Sequence, residues 1–168
     1  GKFICFIDAD DIWKKNKLKT QIDFMIKKKI SCSHSTYTVF NSTNKKEFIR
    51  KAEDYSDFSK LLRSCNIGLS TVIIKKDLFK SKFRFPKIKT KEDFVLWLKL
   101  VKNGTTIFGL KKNLVKWRKT NNSLSSSLFQ KIKDGYTVYH HYLDYNSIKS
   151  FYLLLVLSFN FFKKSLLK

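Results

Sequence analysis

Phe3-Ile4-Cys5-Phe6-Ile7 is an apolar run without polar interruption. Such a run suits a strand buried on both faces, as in the parallel part of an α/β sheet. Leu18, Ile22, Met25 and Ile26 then recur at helical spacing, which predicts a helix over Lys15–Lys29 with a lysine-rich outer face and Met25 in the core. Ser31–Phe40, rich in β-branched and aromatic residues, reads as a strand. The turn Asn41-Ser42-Thr43-Asn44 and a second strand over Glu47–Lys51 make it a hairpin. Tyr55, Phe58, Leu61 and Leu62 mark a helix capped near Asp54 or Ser56. A small-residue turn at Asn66–Ser70 leads into the β-branched Thr71–Ile74 and a helical Lys75–Phe79. Phe94, Trp97, Leu98 and Val101 form one helical stripe that stops at Asn103-Gly104. Thr105–Leu110 and Asn113–Arg118 read as two strands, and the chain is helical from Phe129 onward.

Composition narrows the class. A chain of 168 residues is one domain's worth, enough for a single core. Lys+Arg 35 against Asp+Glu 13 gives a net charge of +22, which draws a protein toward phosphate-rich partners or anionic membrane leaflets. Nearly all of it is lysine, so a compositional habit of the source explains it equally well. No basic tail or arginine-rich arm is present, and nucleic acid is not an expected partner. Cys5, Cys32 and Cys65 lack metal spacing and read as reduced, mostly buried thiols of a cytosolic protein. His34, His140 and His141 have no metal-ligand spacing with the acidic residues and are expected to be solvated or interfacial. The apolar block Phe151–Phe162, broken by Ser158 and Asn160 and closed by Lys163 and Lys164, is too short to span a bilayer. It suits the membrane interface, or packing on another part of the protein or a second subunit.

Two acidic clusters carry candidate chemistry. The first apolar strand delivers Asp8, Asp10 and Asp11 at its carboxyl end, where ligands of open α/β sheets bind. Their hard oxygens suit Mg²⁺ or Mn²⁺ carrying phosphate oxygens, although an Asx-turn or helix cap is the simpler reading. The second cluster, Glu92-Asp93, opens the Phe94–Val101 stripe. Thr90 stands three residues before Asp93 in a near capping-box arrangement, and on that reading each carboxylate merely complements the helix dipole, worth about 0.3–1 kcal/mol. Trp97 reads as a packing anchor, and the single Gly68 makes no phosphate-cradling loop.

Gly1-Lys2-Phe3-Ile4-Cys5-Phe6-Ile7-Asp8-Ala9-Asp10-Asp11-Ile12-Trp13, followed by Lys17-Leu18-Lys19-Thr20-Gln21, resembles family 2 glycosyltransferases of the GT-A fold. The likeness continues through Asn66–Lys76, Glu92-Asp93 with Trp97, and Trp117–Ser125, covering roughly Gly1–Ser126. It implies an α/β, GT-A-like fold, a Rossmann-like mixed sheet with flanking helices. On this pattern 1–126 is the second half of the transferase domain and 127–168 a helical extension, membrane- or subunit-associating. Gly1 would fall about halfway through the usual domain, with the half that binds the nucleotide's base expected upstream. The resemblance further implies inverting transfer from a nucleotide-diphosphate sugar to a saccharide or lipid-linked saccharide. Asp8 would lie near the ribose and the metal, Asp10 would hold the metal on the diphosphate, and Asp93 would be the catalytic base. Arg118 and Lys119 would face the departing diphosphate, although the histidine that many relatives carry after the arginine is missing here. The implied setting is bacterial cell-surface glycan synthesis, in the cytoplasm or peripheral on the inner face of the membrane.

Two alternatives stand beside this. Hydrophobic-Asp-x-Asp after a strand is also the signature of haloacid-dehalogenase-like phosphatases, with Asp8 as nucleophile and Asp10 as acid/base. That class wants Thr or Val where Ile12 stands and leaves Trp13 and the Glu92-Asp93/Trp97 unit unexplained. The third reading is an inactive truncated fragment or a basic membrane-binding module.

Overall fold

The computed structural model describes residues 1–41, 47–79, 84–119 and 128–166. Among these residues six strands form one mixed sheet. β1 (Phe3–Cys5), β5 (Ile73–Lys75), β3 (Cys32–Phe40), β6 (Phe108–Arg118) and β2 (Ile12–Trp13) lie side by side in that order, and β4 (Glu47–Arg50) pairs with β3 off the main path. β3 and β6 run parallel and the other pairs are antiparallel. β6 is one strand where two were expected. Its register against β3 passes from Ser35↔Leu110 to Thr36↔Asn113, so Lys111 and Lys112 bulge out at the expected break.

The first apolar run is shorter than expected and is not parallel. β1 pairs antiparallel with β5 at one end of the sheet order and is only partly buried, and Ile7 is exposed. Its faces are nonetheless covered by different groups. Phe3 and Cys5 pack on the Met25, Ile30 and Ile73 cluster, while Phe6 meets Phe79 and Phe85.

α1 (Lys17–Lys27) forms as predicted, with Met25 in the core, but presents another face. Its buried line is Lys17, Gln21 and Met25, whereas Leu18 and Ile26 are exposed. The Gln21 amide nitrogen finds partners there, whereas Lys17 Nζ makes no hydrogen bond among the described residues. The Gln21 amide donates to the Ser33 carbonyl, to Ser33 Oγ at 3.0 Å and to the Thr71 carbonyl at 2.9 Å. Lys17 Nζ lies 4.2 Å from the centre of the Trp13 ring.

The β3–β4 hairpin pairs Tyr37 with Arg50 through Phe40 with Glu47, and most of the turn expected at Asn41–Asn44 falls outside the described residues. α2 (Phe58–Arg63) is capped by Asp57, which accepts the Ser59 amide at 2.7 Å, not by Asp54 or Ser56. Tyr55 precedes this helix and bridges to Ile107. His34 is not solvated: it is fully buried in β3 and its Nε2 donates to the Glu53 carbonyl at 2.8 Å.

α3 (Lys76–Phe79) follows β5 directly. α4 (Glu92–Lys102) is buried along nearly its whole length and ends at Gly104, whose φ of 81° needs a glycine. α5 (Leu128–Thr137), a π turn at Val138–Tyr142 and α6 (Ser147–Leu166) complete the chain. Val138, Tyr139, Leu153 and Leu154 join the same core cluster as Trp97, Leu98 and Leu61, so these last helices share the main core.

Candidate active site

The Asp8–Asp11 turn between β1 and β2 is fixed from both sides. The Asp11 amide closes it on the Asp8 carbonyl at 3.0 Å. From the turn before β5, Ser70 Oγ accepts the Asp8 amide at 2.9 Å, and the Ser70 carbonyl accepts Trp13 Nε1–H at 2.8 Å. From the end of β6, the Arg118 amide donates to Asp11 Oδ1 at 2.9 Å and its Nε donates to the Asp10 carbonyl at 3.0 Å. The Arg118 guanidinium also lies 4.8 Å from the centre of the Phe40 ring. Three segments distant in sequence thus converge to shape one acidic turn.

The three aspartates face different surroundings. Asp10 is exposed, Asp8 is partly buried and Asp11 is almost fully buried. Burial raises the Asp8 carboxyl above its ordinary range, and the neighbouring Asp10 charge adds to this. Asp11 is pushed up to about 6, chiefly by burial, against the pull of the Ser70 hydroxyl and the Arg118 amide. Its Oδ2 is buried without a hydrogen bond among the described residues. Asp8 and Asp10 therefore form a pair of hard oxygen donors whose mutual repulsion a divalent cation would relieve. No group of three or more His, Cys, Asp or Glu side chains suited to a metal is found among the described residues.

Asp93 sits in the first turn of α4. Its Oδ1 accepts the amide of Phe94 at 2.7 Å, and burial raises its pKa to about 6, with Glu92 and more weakly Asp8 adding repulsion. Lys91 pulls the other way. The Asp8 charge thus acts weakly on Asp93, and the Tyr37 phenol feels charges from both clusters. Burial above all raises the Tyr37 phenol, and the charges of Asp93 and Asp11 act on it in the same direction. Asp93 and the Asp8–Asp11 turn, to which Arg118 is bonded, are thus near enough for the Asp8 charge to act weakly on Asp93.

The launch of α4 is set by a contact that the local sequence does not announce. Thr90 does not cap the helix. Its amide and Oγ1 both donate to Asp134 Oδ2 of α5, at 2.9 and 2.8 Å, while Gln130 donates to Oδ1 at 2.9 Å. These bonds hold the Asp134 carboxyl below its ordinary range. Lys91 then takes a left-handed φ of 66°, from which α4 starts with Glu92 and Asp93. Trp97 is fully buried, as a packing anchor should be.

Sequence reasoning missed Ser70, Tyr37, Asp134 and the support role of Lys17. Lys17 stacks on the Trp13 indole that bonds Ser70, and burial lowers its pKa to about 8. The Lys-Leu-x-x-Gln motif was the available signal for Lys17 and the Asn66–Lys76 likeness for Ser70; Tyr37 and Asp134 had none beyond residue type. The motif stretch Thr120–Ser126 lies outside the described residues.

No protein-family model matches the chain. TuaG of Bacillus subtilis (strain 168), a glycosyltransferase named for teichuronic acid biosynthesis, is 33% identical over 141 residues, 83% of this chain and 55% of TuaG. WfgD of Escherichia coli, named as a UDP-Glc:alpha-D-GlcNAc-diphosphoundecaprenol beta-1,3-glucosyltransferase, is 34% identical over 156 residues, 92% of this chain and 60% of WfgD. The crystal structure of S. aureus TarS 1-349 with UDP-GlcNAc matches with a TM-score of 0.64 at 19% identity, over 97% of this chain and 49% of that one. The chain spans little more than half the length of these curated relatives. The phosphatase alternative finds no support among them.

Proposed function

We propose that this chain, whose homologues are glycosyltransferases and whose fold is GT-A-like, supplies the transfer centre of an inverting, metal-dependent enzyme. The enzyme would move a sugar from a nucleotide-diphosphate donor to a hydroxyl acceptor. What supports this reading is the raised pKa of Asp93, about 6, to which the Asp8 charge of the Asp8–Asp11 turn contributes.

Each group then has a distinct task. Asp8 and Asp10 would hold Mg²⁺ or Mn²⁺, which when bound supplies positive charge to the diphosphate leaving group. Arg118, fixed on the Asp10 carbonyl, brings a guanidinium to the same turn for the developing phosphate charge. Asp93 Oδ1 accepts the Phe94 amide, which orients the carboxylate, and Oδ2 would then serve the acceptor. As the acceptor oxygen bonds to the anomeric carbon, the bond from that carbon to the phosphate oxygen breaks. The hydroxyl proton passes to Asp93, and the nucleoside diphosphate departs with the electron pair. A pKa of about 6 leaves Asp93 ionised at neutral pH yet more basic than an ordinary aspartate, a poise suited to general-base work.

WfgD is named for a UDP-glucose donor and a diphosphoundecaprenol-linked acceptor, and TarS was crystallised with UDP-GlcNAc. These names favour a uridine nucleotide sugar and a lipid-linked or polymeric glycan of the bacterial cell surface. The test incubates the full-length protein with UDP-glucose or UDP-GlcNAc, Mn²⁺ and a lipid-diphosphate saccharide. Acceptor-dependent UDP release with an inverted anomeric centre is expected. A product that retains the donor configuration would refute the inverting mechanism, and absence of UDP release with either donor would refute the transfer reading.

A further inference from the structure

α6 carries two opposed faces. Ser150, Leu153 and Leu154 are buried, Asn160 Nδ2 donates to the Arg63 carbonyl at 3.0 Å, and Lys164 Nζ donates to Ser64 Oγ and to Asn66 Oδ1. At about 100° per residue these positions share one side of the helix. On the opposite side Ile148, Phe151, Tyr152, Leu155, Phe159 and Phe162 form a row in which steps of three and four recur, with Phe151 and Tyr152 side by side, each more than half exposed. At about 1.5 Å per residue the stripe is roughly 21 Å long. Exposed apolar side chains scattered singly are ordinary, whereas an aligned row of this size marks a docking surface.

Charge selects what docks. Lys149 and Lys163 lie toward one edge of the stripe, α6 contains no aspartate or glutamate, and the whole chain carries +22. A second copy would bring another +22 and the same acid-free helix, so two such faces would meet against mutual repulsion. An anionic bilayer meets both requirements: the apolar stripe sinks into the acyl boundary while the lysines reach the phosphates. Among the described residues no helix is long and apolar enough to cross a membrane, so α6 would lie in the interface plane.

We infer that α6 is an interfacial anchor that seats the protein on an anionic phospholipid surface through its Ile148–Phe162 face. The anchor shares no residue with the acidic site and stands whether or not that site transfers sugar. Co-sedimentation of the protein with phosphatidylglycerol/phosphatidylethanolamine vesicles and with phosphatidylcholine vesicles tests it. Leu155→Glu/Phe159→Glu changes only exposed positions of the stripe, and Ile49→Glu changes an exposed apolar residue of β4 as a control. The unaltered protein and the control are expected to bind the anionic vesicles at least about tenfold better than the neutral ones, and the double variant to lose about tenfold or more. Phe159→Ser, a milder change, should lower binding several-fold if the double variant does not fold. Binding that is equal with and without the stripe substitutions overturns the inference. So does a lipid-free dimer of the unaltered protein that the double variant dissolves, because the face would then be a subunit interface.

Discussion

Replacing Asp93 by asparagine should stabilise the fold progressively as pH rises, while removing the proposed base. In the folded protein burial and Glu92 lift the Asp93 pKa from an ordinary 3.8 to about 6. Below pH 3.8 the carboxyl is protonated in both folded and unfolded chains. Between these two values the unfolded chain gives up the proton first, so folding must retain it, and stability falls as pH rises. Above pH 6 the full cost of an ionised, recessed carboxylate is present. At about 1.4 kcal/mol per pK unit the cost approaches roughly 3 kcal/mol, and remaining solvent contact brings it nearer 2 kcal/mol. Asparagine does not titrate, and its Oδ1 can still accept the Phe94 amide. Urea unfolding of both proteins between pH 4 and 7.5 gives the stability difference directly. Glu53 and Asp134, whose pKa values are lowered, pull both curves the opposite way and cancel in that difference. The advantage of the variant should grow by about 1.5–2 kcal/mol over this range and level off above pH 7. A difference that is independent of pH, or that shrinks as pH rises, refutes the picture of a recessed, raised carboxyl.

Other expectations follow from the same contacts. Asp134→Ala leaves the Thr90 amide and hydroxyl without their shared acceptor, so it should destabilise by about 1–3 kcal/mol in urea titrations and lower kcat more than it raises KM. Unchanged stability and kcat would remove Asp134 as the group that sets the start of α4. Gly109→Ala would place a Cβ 2.7 Å from the Glu53 backbone, where no flexible side chain can yield, and should cost several kcal/mol on the scale of severe overpacking. A thermal midpoint within about 2 °C of the unaltered protein would contradict that packing. Because the proposed base, Asp93, must be ionised to act, kcat/KM of the full-length enzyme should fall tenfold per pH unit below about 6, and a limb near pH 4 would contradict the assigned Asp93 environment.

Much of the fold was legible because local pattern and tertiary demand agree. The stripe Phe94, Trp97, Leu98 and Val101 is buried, the β3–β4 hairpin has its expected strands, and the acidic junction falls between β1 and β2. The face of α1 was not legible. Lys17 and Gln21 look like surface residues until the Trp13 ring and the Ser33 and Thr71 carbonyls are brought to them. The same reason hid His34, whose burial depends on the Glu53 carbonyl on the neighbouring segment. Thr90 and Asp93 have nearly the spacing of a capping box, yet the better acceptor for Thr90 is Asp134, 44 residues away. Ser70, which holds the Asp8 amide across 62 residues, has no periodicity to betray it. Supports of this kind come from chain segments that only the sheet and core bring together.

In the proposed mechanism two acidic clusters divide one reaction, donor capture at Asp8 and Asp10 and proton removal at Asp93. The most direct measurement is calorimetric binding of UDP in the presence of Mn²⁺, paired with single-turnover sugar transfer, on the full-length protein and its Asp10→Asn and Asp93→Asn variants. Asp10→Asn should lose both Mn²⁺-dependent UDP binding and transfer, whereas Asp93→Asn should bind UDP and Mn²⁺ as before and lose transfer by about 10²-fold or more. Transfer surviving in Asp93→Asn, or UDP and Mn²⁺ binding unaffected in Asp10→Asn, would contradict this division.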